Sequence, residues 1–162
     1  MQNALISEVV KIVQGLAPVA DAFAGTVTSD VVNLENYERV AFLVNKGVGL
    51  TGTSTITVQA SAAADGGSPT AIAFKYRLVD FADGTENDKA GTITDATTAG
   101  FVTTAGSTQI YIIEVKASDL PAAKPFVHLK AVEVVDSPVA GSILVLLANP
   151  RFEGATMPTA IS

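Results

Sequence analysis

The chain has 162 residues, of which 48% are apolar and 16% charged, with a net charge of −6 at pH 7 and no cysteine. This length predicts one domain, the lack of cysteine excludes disulfides and thiolate metal sites, and the acidic charge with scattered Lys and Arg argues against nucleic-acid binding. Because globular domains usually carry roughly 25% charged residues, we expect part of the apolar surface to lie at an interface with another subunit or partner.

Neither a membrane span nor a secretion signal is predicted. The longest apolar run covers only residues 142–148, far below the roughly 18 residues that a membrane-spanning helix needs. The N-terminus has no charged region followed by an apolar core and a cleavage site, so no signal peptide is expected.

Residues 1–20 form an apolar segment that two structures fit. Apolar residues recur at three- and four-residue intervals, which is typical of a short amphipathic helix that Gly15 and Pro18 would end. The run Val-Val-Lys-Ile-Val at residues 9–13 also has good strand propensity. Helix and extended arm both stay open, with the arm favoured, and either one carries an apolar stripe that its own domain or a neighbouring subunit must cover.

The next part of the chain predicts strands with clear alternation. Residues 26–32 are a candidate strand and residues 33–39 are turn-like, after which Val40, Phe42 and Val44 alternate as an inward face. A glycine-rich loop follows at 47–52. Residues 53–60 then alternate Thr and Gln with Ile56, Val58 and Ala60, which is the pattern of a half-buried strand.

The middle of the chain predicts one strand between two loops. Residues 61–70 contain Asp-Gly-Gly-Ser-Pro and read as a flexible loop. Phe74, Tyr76 and Leu78 alternate with Lys75 and Arg77, which indicates a one-sided strand. Residues 80–100 are acidic and rich in Thr, and we expect a long surface excursion there.

Three β-rich runs separated by short turns close the chain at 110–116, 124–135 and 142–151. The middle of the last run is apolar on both faces, so it should lie centrally or at an interface. With seven or eight short strands and at most one helix, the sequence predicts an all-β fold, an antiparallel β-sandwich or jelly-roll-like domain over 21–152. It is flanked by the N-terminal helix or arm (1–20) and a C-terminal tail (153–162).

Gly47-Val48-Gly49-Leu50-Thr51-Gly52 matches the spacing GxGxxG. In a dinucleotide site the third glycine opens a helix whose amides hold the pyrophosphate. Here a strand follows, so we interpret the motif as a hairpin connection and expect no cofactor.

Four acidic residues lie close together in sequence: Asp80, Asp83, Glu86 and Asp88. Clustered carboxylates bind hard cations, but the spacing does not match a helix–loop–helix calcium loop. A solvated acidic loop is the preferred interpretation, with a calcium site as the alternative. A carboxylate pair for sugar hydrolysis is disfavoured because the chain has no Trp and few aromatic residues to stack a sugar.

His128 is the single histidine of the chain. Without a Gly-x-Ser-x-Gly elbow it fits no catalytic triad, and one histidine cannot form a multi-histidine metal centre. A structural or surface histidine is expected. We therefore predict no catalytic residue, no metal ligand and no cofactor.

The strand and turn patterns resemble small structural proteins encoded beside the major capsid gene of tailed bacteriophages. The matching stretches lie within residues 30–152, at 36–44, 113–115, 119–121, 125–130 and 149–152. The resemblance implies a head decoration (cement) protein, a jelly-roll-like domain that binds the capsid exterior in the virion, after synthesis in the host cytoplasm, and stabilises the mature shell. It also implies the major capsid protein as partner and a homo-oligomer, dimer or trimer, with no nucleic acid and no membrane.

A non-enzymatic virion protein is thus the first hypothesis, and it agrees with the surplus of apolar residues. Its assembly interface is predicted at the two ends of the chain, at Ile6, Val9, Val10, Val13, Phe152 and Met157. The alternative is a receptor- or carbohydrate-binding jelly-roll module of a phage tail or fibre. A virion-associated hydrolase using Asp83 and Glu86 is the third hypothesis.

Overall fold

The structure is a computed structural model that describes residues 5–81, 89–151 and 159–161. Two antiparallel six-stranded sheets pack as a sandwich behind one short N-terminal helix, which confirms the predicted all-β sandwich. In the described part of the chain, no helix is long and apolar enough to cross a membrane.

The elements follow one another as α1 (Ile6–Val9), β1 (Val10–Val19), β2 (Thr26–Thr28), β3 (Val32–Asn33), β4 (Tyr37–Lys46), β5 (Thr53–Ser61), β6 (Thr70–Ile72), β7 (Phe74–Asp80), β8 (Thr94–Ala96), β9 (Phe101–Val102), β10 (Gln109–Lys116), a 3₁₀ turn (Ala117–Asp119), β11 (Phe126–Val135) and β12 (Gly141–Pro150). The first sheet has the order β1-β12-β4-β10-β7-β8. The second has the order β2-β11-β5-β6, with β3 beside β11 and β9 beside β5.

Alternate residues of both sheets point into one core. The predicted inward faces of β4 and β5 are confirmed, because Phe42, Val44, Val58 and Ala60 are fully buried and Ile56 is nearly so. From the other strands the core receives Tyr111, Ile113, Val127, Leu129, Ile143, Val145 and Leu147. Burial of each large apolar side chain contributes about 1.5–3 kcal/mol, so these positions hold the two sheets together.

The N-terminal segment contains both structures that its sequence left open. One helical turn, α1, is followed by strand β1, which pairs antiparallel with β12 from Val10 opposite Ala148 to Val19 opposite Gly141. The backbone of β1 thus forms hydrogen bonds with the N–H and C=O groups along one side of β12. A longer helix over these residues would not form these hydrogen bonds. Residues 10–19 therefore lie within the first sheet as its edge strand.

One strand prediction and two loop predictions need correction. The predicted strand 26–32 is split into β2 and β3, because Ser29 forms backbone and side-chain hydrogen bonds with Leu129 and Asp30 N–H donates to Gly15 O at 2.7 Å. The turn-like stretch 33–39 ends early, since β4 begins at Tyr37. The excursion 80–100 includes strand β8, where Asp95 lies opposite Lys75 on β7 and forms an ion pair with it.

The glycine-rich loop 47–52 joins β4 in the first sheet to β5 in the second. It is a strand-to-strand connection, as predicted, but it is a corner between sheets and not a hairpin. The corner is tightly packed: a Cβ on Gly52 would lie 2.4 Å from Ser137 O. The glycines therefore permit close approach between this corner and the segment before β12.

Candidate assembly surface

Many outward positions on β1, β12, β4 and β10 are apolar, although Gln14, Asn45 and Ser142 are polar outward positions on the same strands. Leu144 on β12 lies opposite Leu43 on β4, and Ile112 on β10 lies on the other side of Leu43. In the next row Ile12 on β1 lies opposite Leu146. Ile12 is 56% exposed and Leu144 is 43% exposed. We call this surface, made of Val10, Ile12, Ala41, Leu43, Ile110, Ile112, Leu144, Leu146 and Ala148, the outer apolar face.

The corresponding surface of the second sheet is polar along β5, although Val132 on β11 and Val102 on β9 are exposed on either side of Thr55. Its outward positions on β5 are Thr55, Thr57 and Gln59, and Thr57 Oγ1 donates to Lys130 O at 3.3 Å. Gln59 Nε2 in turn donates to Thr57 Oγ1 at 3.1 Å. Antiparallel sheets commonly present such a polar face to water. Both outer surfaces of the sandwich therefore present some apolar side chains, and those of the first sheet include the larger Ile and Leu residues.

Charged residues gather at one margin of the outer apolar face. Arg39 and Lys116 lie directly opposite each other on β4 and β10, and Lys75 lies opposite Glu114. The outward residues of β1 and β12 carry no charge. Like charges opposite each other are locally unfavourable. In the sequence these basic residues are scattered. Only the register of β4, β10 and β7 brings Arg39, Lys116 and Lys75 together.

A groove of about 1020 Å³ runs along this charged margin. Its apolar lining includes Val10, Phe74 and Leu146, and its polar lining includes Arg39 and Lys116. The groove thus connects the N-terminal end of β1 with the charged side of the outer apolar face.

The predicted interface residues fall into three groups. Ile6 is 74% exposed and Val9 is also exposed, while Val10 is half-buried at the edge of the outer apolar face. The prediction that Val13 is a surface residue is wrong. It is 7% exposed and belongs to the core, because strand alternation turns it inward.

The C-terminal interface residues Phe152 and Met157 lie outside the described residues. Beyond them, Ala160 is buried and its carbonyl accepts the Asn33 N–H at 2.8 Å.

A polar cluster lies inside one end of the sandwich. Tyr111 OH donates to Gln109 Oε1 at 2.8 Å and accepts the Thr104 N–H at 2.9 Å. Gln109 Nε2 reaches Thr104 Oγ1 and, at 3.5 Å, Asp80 Oδ2. Burial raises the pKa of Tyr111. Sequence analysis did not predict this cluster, since Gln109 and Tyr111 lie on β10, Asp80 ends β7 and Thr104 lies in the loop between β9 and β10.

Lys46 completes the cluster and is only 2% exposed. Its Nζ has no hydrogen-bond partner within the described part of the chain. Burial lowers the pKa of Lys46, and the nearby carboxylate of Asp80 partly counteracts that effect. A cation so placed costs free energy in the folded state.

His128 is a buried residue on β11, at an outward position covered by the loop after β5. The nearest atom to a Cβ built on Gly66 of that loop would be His128 Cε1, at 3.2 Å. Burial lowers the pKa of His128, and Lys130 lowers it further. Its Nδ1 has no hydrogen-bond partner among the residues described. This environment fits the predicted structural histidine.

The acidic loop is described only in part. Asp80 ends β7, and Asp83, Glu86 and Asp88 lie outside the described residues. Within 5–81, 89–151 and 159–161, no three His, Asp or Glu side chains come together as a metal site. The calcium alternative stays a prediction.

A second cavity, of about 410 Å³, has aromatic walls. The rings of Tyr76 and Phe101 stack with centroids 3.9 Å apart, and Tyr111 lies 5.2 Å from Phe101. Asp80 and Thr104 supply polar atoms at the same cavity. Aromatic rings beside a few polar groups are typical of small-molecule sites.

No family model and no curated protein matches the chain. Among solved structures, the SPBc2 prophage-derived protein YomS is similar at 9% identity and a TM-score of 0.49, over 91% of this chain and 100% of its own. A structure of infectious bursal disease virus Gx strain aligns at 12% identity and a TM-score of 0.25, over 87% of this chain and 40% of its own. Neither similarity assigns a role to a residue of this chain.

Proposed function

We propose that the chain is a non-enzymatic structural protein of a phage virion, which binds the exterior of the capsid and stabilises the mature shell. The observation that supports it most is the apolar surface left outside the core, on the first sheet and on the N-terminal segment beside it. A surface of this kind suits permanent contact with another protein. The strand patterns at 36–44 and 113–152, which resemble phage head decoration proteins, support the same role.

The contact with the major capsid protein is assigned to the N-terminal segment. Leu5, Ile6 and Val9 are all exposed, and they precede the edge strand β1 directly. A small contact of this kind is weak by itself, but several linked contacts on a repeating lattice raise the effective concentration of each. Because such binding favours only the assembled state, it stabilises that state by mass action.

Replacing Ile6 by aspartate is expected to weaken binding to virions at least about 10-fold, because burial of one such side chain is worth roughly 1.5–3 kcal/mol. The fold should be unaffected, since Ile6 is 74% exposed. Binding is measured by co-sedimentation of the variant with particles that lack the protein.

Ser7→Asp is the matched control, because Ser7 is exposed in the same helical turn and receives the same charge. Equal loss of binding in both variants would indicate a general charge effect and contradict the assigned contact. Quantitative mass spectrometry of purified particles tests the function itself. Hundreds of copies per particle agree with a shell-wide decoration protein, whereas about a dozen or fewer would place the chain at a vertex, neck or tail.

The aromatic cavity favours a second candidate function, that of a receptor- or carbohydrate-binding module. Tyr76 and Phe101 offer partly exposed ring surface, and Asp80 offers a hydrogen-bond acceptor. A glycan array separates the two candidates. Specific binding that Tyr76→Ala abolishes would favour the second.

A further inference from the structure

We propose that Lys46 and Gln109 form an amide cross-link within the chain, in which the lysine amine displaces ammonia from the glutamine carboxamide. The two residues belong to a row of inward positions that crosses three strands. Lys46 on β4 lies opposite Gln109 on β10, and Gln109 lies opposite Asp80 on β7. The reaction modifies each chain once, and it goes beyond the proposed virion role without depending on it.

The amine of Lys46 is the nucleophile of this reaction. Residues directly opposite on antiparallel strands have Cβ atoms about 4.5–5.5 Å apart, so the long stem of Lys46 can reach the Gln109 carboxamide. On its other side Lys46 lies opposite Gly141, which has no side chain. Lys46 is 2% exposed, and its Nζ has no hydrogen-bond partner within the described ranges. Burial lowers the pKa of Lys46, which favours the neutral, nucleophilic form of the amine.

The carboxamide of Gln109 is held by hydrogen bonds that suit it as the acceptor. Tyr111 OH donates to Gln109 Oε1 at 2.8 Å, and such a donor stabilises the negative charge that develops on a carbonyl oxygen under attack. Gln109 Nε2, the leaving nitrogen, donates to Asp80 Oδ2 at 3.5 Å and to Thr104 Oγ1. Gln109 is 1% exposed, so little water competes with the amine.

The reaction balances without a co-reactant. Lys46 Nζ forms a bond to Gln109 Cδ, and one Nζ proton passes to the Asp80 carboxylate. Asp80 gives that proton to Gln109 Nε2, the Cδ–Nε2 bond breaks, and ammonia leaves. The aromatic cavity, whose walls include Asp80, Thr104 and Tyr111, provides an exit. The product is a neutral amide, so the cost of a buried ammonium is removed.

The intact mass of the purified chain tests the cross-link. Displacement of ammonia by the lysine amine lowers the mass by about 17 Da, and peptide mapping should recover one branched peptide that contains Lys46 and Gln109. Lys46→Met should have its full calculated mass, with its fold checked by circular dichroism. Lys89→Met, at an exposed lysine, is the matched control and should lose ammonia as the wild type does.

Asp80→Asn tests the proton carrier with little change in side-chain size. Loss of the carboxylate should slow the reaction at least about 100-fold, so most of the variant should have its full mass when the wild type is already linked. Linkage of Asp80→Asn at the wild-type rate would contradict the role of Asp80.

Three results would overturn the cross-link itself: a wild-type chain of full mass, an equal loss of mass in Lys46→Met, or a loss of about 18 Da, which is water and would place the bond on Asp80. Because a cross-link between β4 and β10 would itself stabilise the fold, the stability of Lys46 variants is compared with wild-type chain that has not lost ammonia.

Discussion

Replacing Gly100 by alanine is expected to lower the free energy of unfolding by about 3 kcal/mol. Gly100 has φ +75°, a conformation that costs an L-residue about 1–2 kcal/mol. A Cβ there would also lie 2.0 Å from Ile56 O and 2.8 Å from Thr57 Cγ2. Such overpacking adds about 1–3 kcal/mol, because the turn before β9 rests directly on the backbone of β5.

Gly25→Ala separates the cost of the positive φ from the cost of steric overlap. Gly25 also has a positive φ, at +63°, but a Cβ there meets nothing within 4 Å. It should therefore cost only about 1 kcal/mol. In a domain of this size 1 kcal/mol shifts the Tm by about 2–4 °C, so calorimetry should separate the two variants clearly. Equal Tm values would show that β5 moves aside without cost.

Replacing Lys46 by methionine is expected to stabilise the fold by about 1–3 kcal/mol at pH 7. Buried charges are often replaced by apolar side chains of similar volume with a gain in stability, and Lys46 is 2% exposed with an unpartnered Nζ. The gain is measured by urea unfolding at pH 7. An exposed lysine, Lys89, provides the control: Lys89→Met should change stability by less than about 0.5 kcal/mol.

The pH dependence identifies the charge as the cause. Burial lowers the pKa of Lys46 from its ordinary value of 10.5, so the unfolded chain binds more protons than the folded chain between the two pKa values. Wild-type stability should therefore rise with pH in that window, and the advantage of Lys46→Met should shrink. Measurements stay below pH 9.5 to avoid tyrosine ionisation. A variant less stable than wild type at pH 7 would show that attraction to Asp80 outweighs the burial cost.

Local alternation made the strands predictable. Residues 53–60 and the run Val40, Phe42, Val44 follow a period of two, which is an intrinsic property of a strand with one buried face. The apolar run 142–148 correctly indicated a strand with no polar face. Residues 5–16 were ambiguous because their spacing fits both a helix and a strand, and pairing with β12 decides between them.

Features that depend on register could not be predicted. Arg39, Lys75 and Lys116 come together only because β4, β10 and β7 are neighbours with a fixed alignment. The same holds for Lys46, Gln109 and Asp80 at the end of the sandwich. Strands such as β3 and β9, with two residues each, are too short to show any period. Whether Val13 lies in the core or on the surface depends on whether its segment is a helix or a strand, and the sequence left both open.

The pairing of β1 with β12 has a consequence for synthesis. The two strands are neighbours in the sheet, yet about 120 residues of chain separate Val19 from Gly141. At roughly 5–20 residues per second, β1 leaves the ribosome several seconds before the strand that covers its edge. The first sheet is complete only when β12 arrives. During that interval β1 of one nascent chain can pair with β12 of a finished neighbour, so crowded ribosomes on one message would favour strand exchange between copies.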